Sequence, residues 1–350
     1  MKALCTLSLI TLVGTCATPK YTNKIQNIKD SIILTDSALV MKYANTITSK
    51  ELKTNLYQFC SNEFEGRKVG EAGQKKAAQY LKLYYQSQNI ASPLGAKQYF
   101  QTVSSNFMDH KYESSENVLA FIEGSDQPDE VVIISAHLDH LGVSENGTIY
   151  PGADDDASGN VALMEMAQAF KLAKIQGHGP KRSLLFLHLT AEETGLMGSR
   201  YYVSHPVFPL SQTLANLNID MIGRVDELQK HNENYIYLIG SDRLSKELHY
   251  LSEKVNSTYF NLNLDYRYNN ENDPNKYYSR SDHYNFALKG IPVIFYFNGE
   301  HADYHKVTDT PDKINFPLLE KRTKFIFATA WQIANQEHRL VTDQNNQLLK

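Results

Sequence analysis

Leu184-Leu185-Phe186-Leu187-His188-Leu189, followed at once by Thr190-Ala191-Glu192-Glu193-Thr194-Gly195, decides how this chain folds. The first stretch is apolar except for His188 and shows no alternation of polar and apolar positions. That is the pattern of a strand buried on both faces, as in a parallel sheet covered by helices. Paired glutamates usually form a solvated face. Glu192 and Glu193 follow a buried strand too closely for that reading.

The same pattern extends outward from this strand. From Asn117 onward, strands and helices alternate. Val118–Ile122, Val131–Ala136, Leu217–Ile222, Tyr235–Ile239 and Val293–Phe297 read as strands. Helical periodicity covers 158–173, 194–204, 243–255, 281–289 and 316–335, and upstream 48–60 and 71–88. The alternation predicts an α/β fold, a three-layer α/β/α sandwich with a mixed, mostly parallel central sheet. Residues 261–280, rich in Tyr, Asn and Asp, read as a long irregular loop of the kind that often serves function.

Composition narrows the classes. The chain has 350 residues, 42% hydrophobic and 21% charged, with a net charge of −4, and it carries no basic stripe. Nucleic acid is therefore excluded as a partner. Residues 1–16 read as a signal peptide: Met1-Lys2, an apolar run from Ala3 to Val13, then Gly14-Thr15-Cys16. The run is too short to span a membrane, which takes about 20 residues. Val13-Gly14-Thr15-Cys16 loosely resembles a bacterial lipobox, so Cys16 is a candidate lipid anchor and the only route to a membrane. The expected location is the bacterial periplasm or the outer membrane as a lipoprotein, otherwise the medium. Cys5 lies inside the signal, which leaves Cys60 alone in the body and excludes a thiolate metal site. Residues 17–45 read as a leader or tether, and 46–340 as a single domain.

Histidines and carboxylates gather at strand ends. His137 follows Val131–Ala136, Glu192 and Glu193 follow Leu184–Leu189, Asp220 lies near the end of the strand from Leu217, and His305 follows Val293–Phe297. The carboxyl ends of parallel strands share one edge of a sheet, so residues distant in sequence converge there. Imidazole and carboxylate are ligands that zinc takes, and a hydrolytic site needs a further carboxylate free to move a proton. Each segment also has an ordinary reading. A lone histidine after a strand is usually structural, and Asp154-Asp155-Asp156 suits a turn, with Asp156 capping the helix near Ser158.

In this order, His137-Leu138-Asp139, Gly152-Ala153-Asp154-Asp155-Asp156-Ala157-Ser158-Gly159, Ala191-Glu192-Glu193-Thr194-Gly195, Asn218-Ile219-Asp220-Met221-Ile222-Gly223, Ser281-Asp282-His283 and Tyr304-His305 resemble the di-zinc aminopeptidase family. Its superfamily also holds glutamate carboxypeptidases and glutaminyl cyclases. Gly66-Arg67 and Gly70 extend the likeness, which covers about residues 60–315.

The resemblance implies two Zn2+ per chain. His137 and Asp220 would hold one, Glu193 and His305 the other, and Asp155 both. It implies that Glu192 is the general base and that Tyr304 donates a hydrogen bond to the oxyanion. Asp139 would accept the free imidazole N–H of His137, and Asp282 would support the site through hydrogen bonds. His140 and His283 are near-site or structural, and Arg280 meets either substrate or a structural partner. The resemblance also implies a cis peptide between Asp155 and Asp156. The activity expected is that of a zinc-dependent exopeptidase. It would be an aminopeptidase that hydrolyses the N-terminal bond of peptide substrates through a metal-bridged hydroxide. Alternatives are a glutaminyl-cyclase-like acyltransferase, a carboxypeptidase, or an inactive binding protein on the same fold. The interval from Gln98 to Asn117 is too short for the protease-associated domain that many relatives insert there.

Overall fold

A computed structural model describes residues 17–349. The signal and Cys16 lie outside the described residues. In chain order the elements are α1 (Ala17–Ser31), α2 (Ser37–Ala44), α3 (Ser49–Phe59), α4 (Ala72–Ser87), β1 (Phe100–Val103), β2 (Ser115–Ile122), β3 (Gln127–His137), α5 (Gly159–Ile175), β4 (Arg182–Leu189), α6 (Met197–Ser204), β5 (Thr213–Ile219), β6 (Tyr235–Ile239), α7 (Lys246–Tyr259), β7 (Asn263–Asp265), α8 (His283–Ala287), β8 (Val293–Phe297) and α9 (Phe316–Asn335).

The strands form one sheet in the order β1-β2-β4-β3-β5-β8-β6-β7. Its centre, β4-β3-β5-β8, is parallel throughout. β1 pairs antiparallel with β2, β2 with β4 and β6 with β8, and β7 runs parallel to β6. Successive side chains of a strand fall to opposite faces. Val132 and Ile134 of β3 accordingly join the larger core, with Phe170 of α5 and Phe325 and Trp331 of α9. Val131 and Ile133 join the smaller core, with Tyr202 of α6 and Phe286 of α8. The fold is the α/β/α sandwich expected, with its helices divided unequally between the two faces.

His188, the polar interruption in β4, is fully buried and satisfied. Its Nε2 lies 2.6 Å from Tyr85 Oη and its Nδ1 lies 2.6 Å from Asn160 Oδ1. Burial pushes its imidazole down to about 3, so it stays neutral. Asp156 caps α5 as the sequence suggested, accepting from Gly159 N at 2.9 Å.

Four readings shift. β1 and β7 are short edge strands with no alternation to reveal them, and β7 falls inside the stretch read as irregular loop. β5 ends at Ile219 rather than continuing to Ile222, because Met221 takes a left-handed backbone (φ 63°). Residues 17–45 are not a free tether. α1 and α2 lie against the larger helical layer, and Ile28, Val40 and Tyr43 are completely buried. The body also continues past 340, where Asp343 Oδ1 accepts from Lys246 N at 2.7 Å. Gln98–Asn117 holds only β1, a turn and the start of β2. Among the described residues, no helix is long and apolar enough to cross a membrane.

The docking of α2 can be measured. Tyr43 stacks on Trp331 with ring centroids 5.6 Å apart, and its hydroxyl lies 3.0 Å from Gln176 Oε1. Tyr43→Ala should destabilise the protein by about 3–5 kcal/mol, in the range of buried aromatic truncations. Urea unfolding checks this, and a loose tether would give no change.

Candidate metal centre

The expected side chains converge at the carboxyl edge of the parallel strands. Asp155 sits at their centre. Its Oδ1 lies 3.0 Å from His137 Nε2, which is itself 3.5 Å from Asp220 Oδ1. Its Oδ2 lies 3.0 Å from His305 Nε2, which is 3.1 Å from Glu193 Oε2. Donors about 2.0–2.2 Å from a zinc ion stand roughly 3.2–3.6 Å apart at the corners of a tetrahedron. The observed spacings, 3.0–3.5 Å, lie within a few tenths of an ångström of that range, so two groups of oxygen and nitrogen donors share one carboxylate and could hold divalent metal.

Electrostatics agrees with the spacing. Burial lowers the His137 imidazole, but Asp220, Glu192 and Asp155 more than reverse this and raise it well above its ordinary value. At His305 burial again opposes, and Asp155 and Glu193 push the imidazole up to about 10. Both poles thus demand positive charge. The tautomer of His137 is set by its partner. Nδ1 faces the backbone carbonyl of Asp139 at 3.1 Å, and a carbonyl only accepts, so Nδ1 carries a proton and Nε2 is the nitrogen turned toward the carboxylates, where a metal would take its lone pair.

The two glutamates differ in their surroundings. Glu193 Oε1 accepts from His140 Nδ1 at 2.8 Å, and Oε2 faces His305. The Glu192 carboxylate accepts no hydrogen bond among the described residues. It lines a cavity of about 510 Å³ in front of the centre. Its dry surroundings raise its carboxyl well above the usual range, against the opposing pull of His137. His140 Nδ1 lies 3.8 Å from Asp155, farther than His305 Nε2, so we read His140 as the group that orients Glu193.

Asp139 behaves differently from expectation. Its carboxylate lies 3.9 Å from the His137 imidazole and instead accepts from the Glu192 and Glu193 amides at 3.0 and 3.4 Å. It therefore holds the glutamate turn, while its own carbonyl meets the imidazole. Asp282 is buried and accepts from Ser199 Oγ at 2.5 Å. Burial pushes its carboxyl up to about 7. His283 is a structural residue, stacked on Phe295 at 4.8 Å. Tyr304 stacks on His305 at 3.9 Å, and its hydroxyl accepts from Arg280 Nη2 at 3.4 Å. Arg280 also has a partner within the chain, Glu300, at 3.0 Å. The Asp155–Asp156 peptide is cis, as expected.

Several supporting residues had no role assigned from sequence. A buried polar string runs across one face of β3 and β5. Asn216 Nδ2 donates to Ser135 Oγ (2.8 Å), Ser135 Oγ to Asn218 Oδ1 (2.7 Å), Asn218 Nδ2 to Ser281 Oγ (2.8 Å), and Ser281 Oγ to Asp220 Oδ2 (2.7 Å). The available signal was the two-residue spacing of Asn216, Asn218 and Asp220, which puts polar groups on one face of an otherwise apolar strand. Asp309 Oδ2 accepts from the amides of Asp154 and Asp155 at 2.9 and 3.2 Å. Asp156 accepts from His137 N and Met221 N at 3.2 and 3.1 Å. Buried Arg67 donates to the carbonyls of Phe59, Leu138, Pro151 and Gly152 at 2.8–3.1 Å. Gly66 beside it cannot carry a side chain, since a Cβ would lie 2.2 Å from Gly142 O.

The sheet edge presents paired donor groups to an open cavity, the arrangement of a metal centre. The chain belongs to peptidase family M28, whose model matches residues 117–330. It is 30% identical to leupeptin-inactivating enzyme 1 of Streptomyces exfoliatus over 261 residues, 74% of this chain and 50% of that protein. The curated relatives it matches first are covered over about half to three-fifths of their length. The LapA aminopeptidase of Legionella pneumophila shares the fold with a TM-score of 0.68 at 21% identity, over 96% of this chain and 81% of that one. A glutaminyl cyclase of Porphyromonas gingivalis shares it with a TM-score of 0.63 at 18% identity, over 81% of this chain and 98% of that one. These two likenesses are of fold.

Ser281 is the last link between the polar string and Asp220. Ser281→Ala should weaken metal binding by about 10–100-fold, the usual effect of losing a group that orients a ligand. Chelator competition checks this, with circular dichroism confirming an unchanged fold.

Proposed function

We propose that the protein is a two-zinc exopeptidase that removes the N-terminal residue of peptides. The observation that carries this reading is the division of labour around Asp155. Its two oxygens face two separate donor groups, while Glu192 stays unbonded at the cavity wall. His137 and Asp220 would hold one zinc, Glu193 and His305 the other, and Asp155 both. Bound there, zinc supplies Lewis acidity for the peptide carbonyl and acidifies a water.

The chain's own groups do the rest. Glu192 takes the proton from the attacking water and returns it to the leaving amine, a task open to a carboxylate at the cavity wall that no other group holds. The Tyr304 hydroxyl donates to the oxygen that gains negative charge, and Arg280 holds that hydroxyl in place. The carboxylates of the centre attract the substrate's ammonium. A complete five-donor set with a free base supports hydrolysis over both an inactive binding role and a one-metal cyclase. Export by residues 1–16, with Cys16 as lipid anchor, belongs to the same proposal and rests on the sequence alone.

Elemental analysis should find about two zinc ions per chain, the metal count of a co-catalytic site. Glu192→Gln should retain both and lose at least about a hundredfold in kcat. Loss of a metal in that variant, or near-normal turnover, would exchange the roles of the two glutamates.

A free peptide should lose residues stepwise from its N-terminus while its N-acetylated twin resists, as followed by mass spectrometry. Equal cleavage of both, or release from the C-terminus, would replace the aminopeptidase reading.

A further inference from the structure

The cavity in front of the metal centre has two kinds of wall. Its inner part is apolar, built from Met221, Phe295 and Phe297, all buried, with the Tyr277 ring 5.0 Å from that of Phe297. Beyond the carboxylates of the centre itself, the charged groups lining it among the described residues are Arg280 and Glu300. Arg280 Nη2 lies 3.0 Å from Glu300 Oε1, and its guanidinium covers the Tyr277 ring at 4.8 Å. The two side chains are 42% and 37% exposed, so the pair faces both solvent and an entering ligand. Arg280 thereby closes a path from the Tyr304 hydroxyl to Glu300.

Without Glu300, this arrangement would be a carboxylate receptor. A guanidinium at the edge of an apolar cavity, over an aromatic ring, pairs with planar carboxylates through two parallel hydrogen bonds. Glu300 already pairs with this guanidinium from within the chain, through the single contact of its Oε1 with Nη2. A substrate carboxylate must displace it and then stand beside it unpaired, at a cost in like-charge repulsion. An uncharged side chain leaves the pair intact and gains contact with the apolar wall.

We propose that Glu300 is a specificity-determining residue: by holding Arg280 it keeps the outer cavity neutral, which selects peptides with an uncharged, apolar first residue and rejects acidic ones. The proposal rests on the aminopeptidase reading for its substrates, although the charge selection can be measured on bound amino acids without turnover.

The test uses the zinc-loaded full chain and the variants Glu300→Gln and Glu300→Lys. First, kcat/KM is measured for leucyl and glutamyl chromogenic substrates. Glu300→Gln should raise the glutamyl-to-leucyl ratio roughly twofold to fivefold, the scale of a partly exposed charge pair. Glu300→Lys should raise it further, and added salt should shrink both gains. Second, the affinities of free L-leucine and L-glutamate are measured by calorimetry, and the same shift in ratio is expected there. An unchanged ratio in both measurements, or a parallel fall for both ligands, overturns the proposal. If neither chromogenic substrate is cleaved by the wild type, the aminopeptidase reading fails, and the calorimetric ratio still decides the role of Glu300.

Discussion

Asp155 has two carboxylate oxygens, and each must face a different imidazole at about the same distance. The rest of the centre follows from that requirement. A carboxylate between two histidines and two further acids is costly to bury unless positive charge is present. The raised imidazoles of His137 and His305 express this need, and divalent metal meets it more fully than protons can. The centre's donors must also be held in shape by what surrounds them.

That support comes mostly from backbone groups and neutral polar side chains. Asp309 receives the amides that lead into Asp155, Asp156 joins β3 to the end of β5, and Asp139 receives the amides of both glutamates. Arg67 ties four carbonyls of neighbouring turns together. Ala191, Met221 and His305, all at or beside the donor residues, have φ between 56° and 63°. Non-glycine residues there cost of order 1–3 kcal/mol each, which a protein tolerates where a side chain must be aimed away from its strand. The sheet supplies a rigid base and the strained turns supply direction.

The sandwich also explains where the cavity opens. The larger helical layer covers one face of the sheet, while α6 and α8 cover only part of the other. The carboxyl edge between them is left for the loops that carry Glu192, Tyr304 and Arg280. Part of the segment read as irregular loop, Tyr277–Arg280, forms a wall of this cavity.

Much of this was legible in the chain itself. Unbroken apolar runs specified buried parallel strands, and that alone placed residues up to 168 positions apart, His137 and His305, on one edge. Asp156 as a cap followed from local spacing, because capping depends on neighbours in sequence. The docking of α1 was hidden, since a polar, lysine-bearing segment reveals its buried face only once a partner surface exists, and α2 has only eight residues in which to show a pattern. The short edge strands were hidden too, having too few residues for a pattern. The polar string from Asn216 to Asp220 could be suspected from its period of two, but its links through Ser135 and Ser281 come from other elements. Likewise Asp139 meets the glutamate amides rather than the imidazole it neighbours in sequence. Sequence determines what depends on periodicity and near neighbours; hydrogen-bond partners across strands depend on distances that only packing sets.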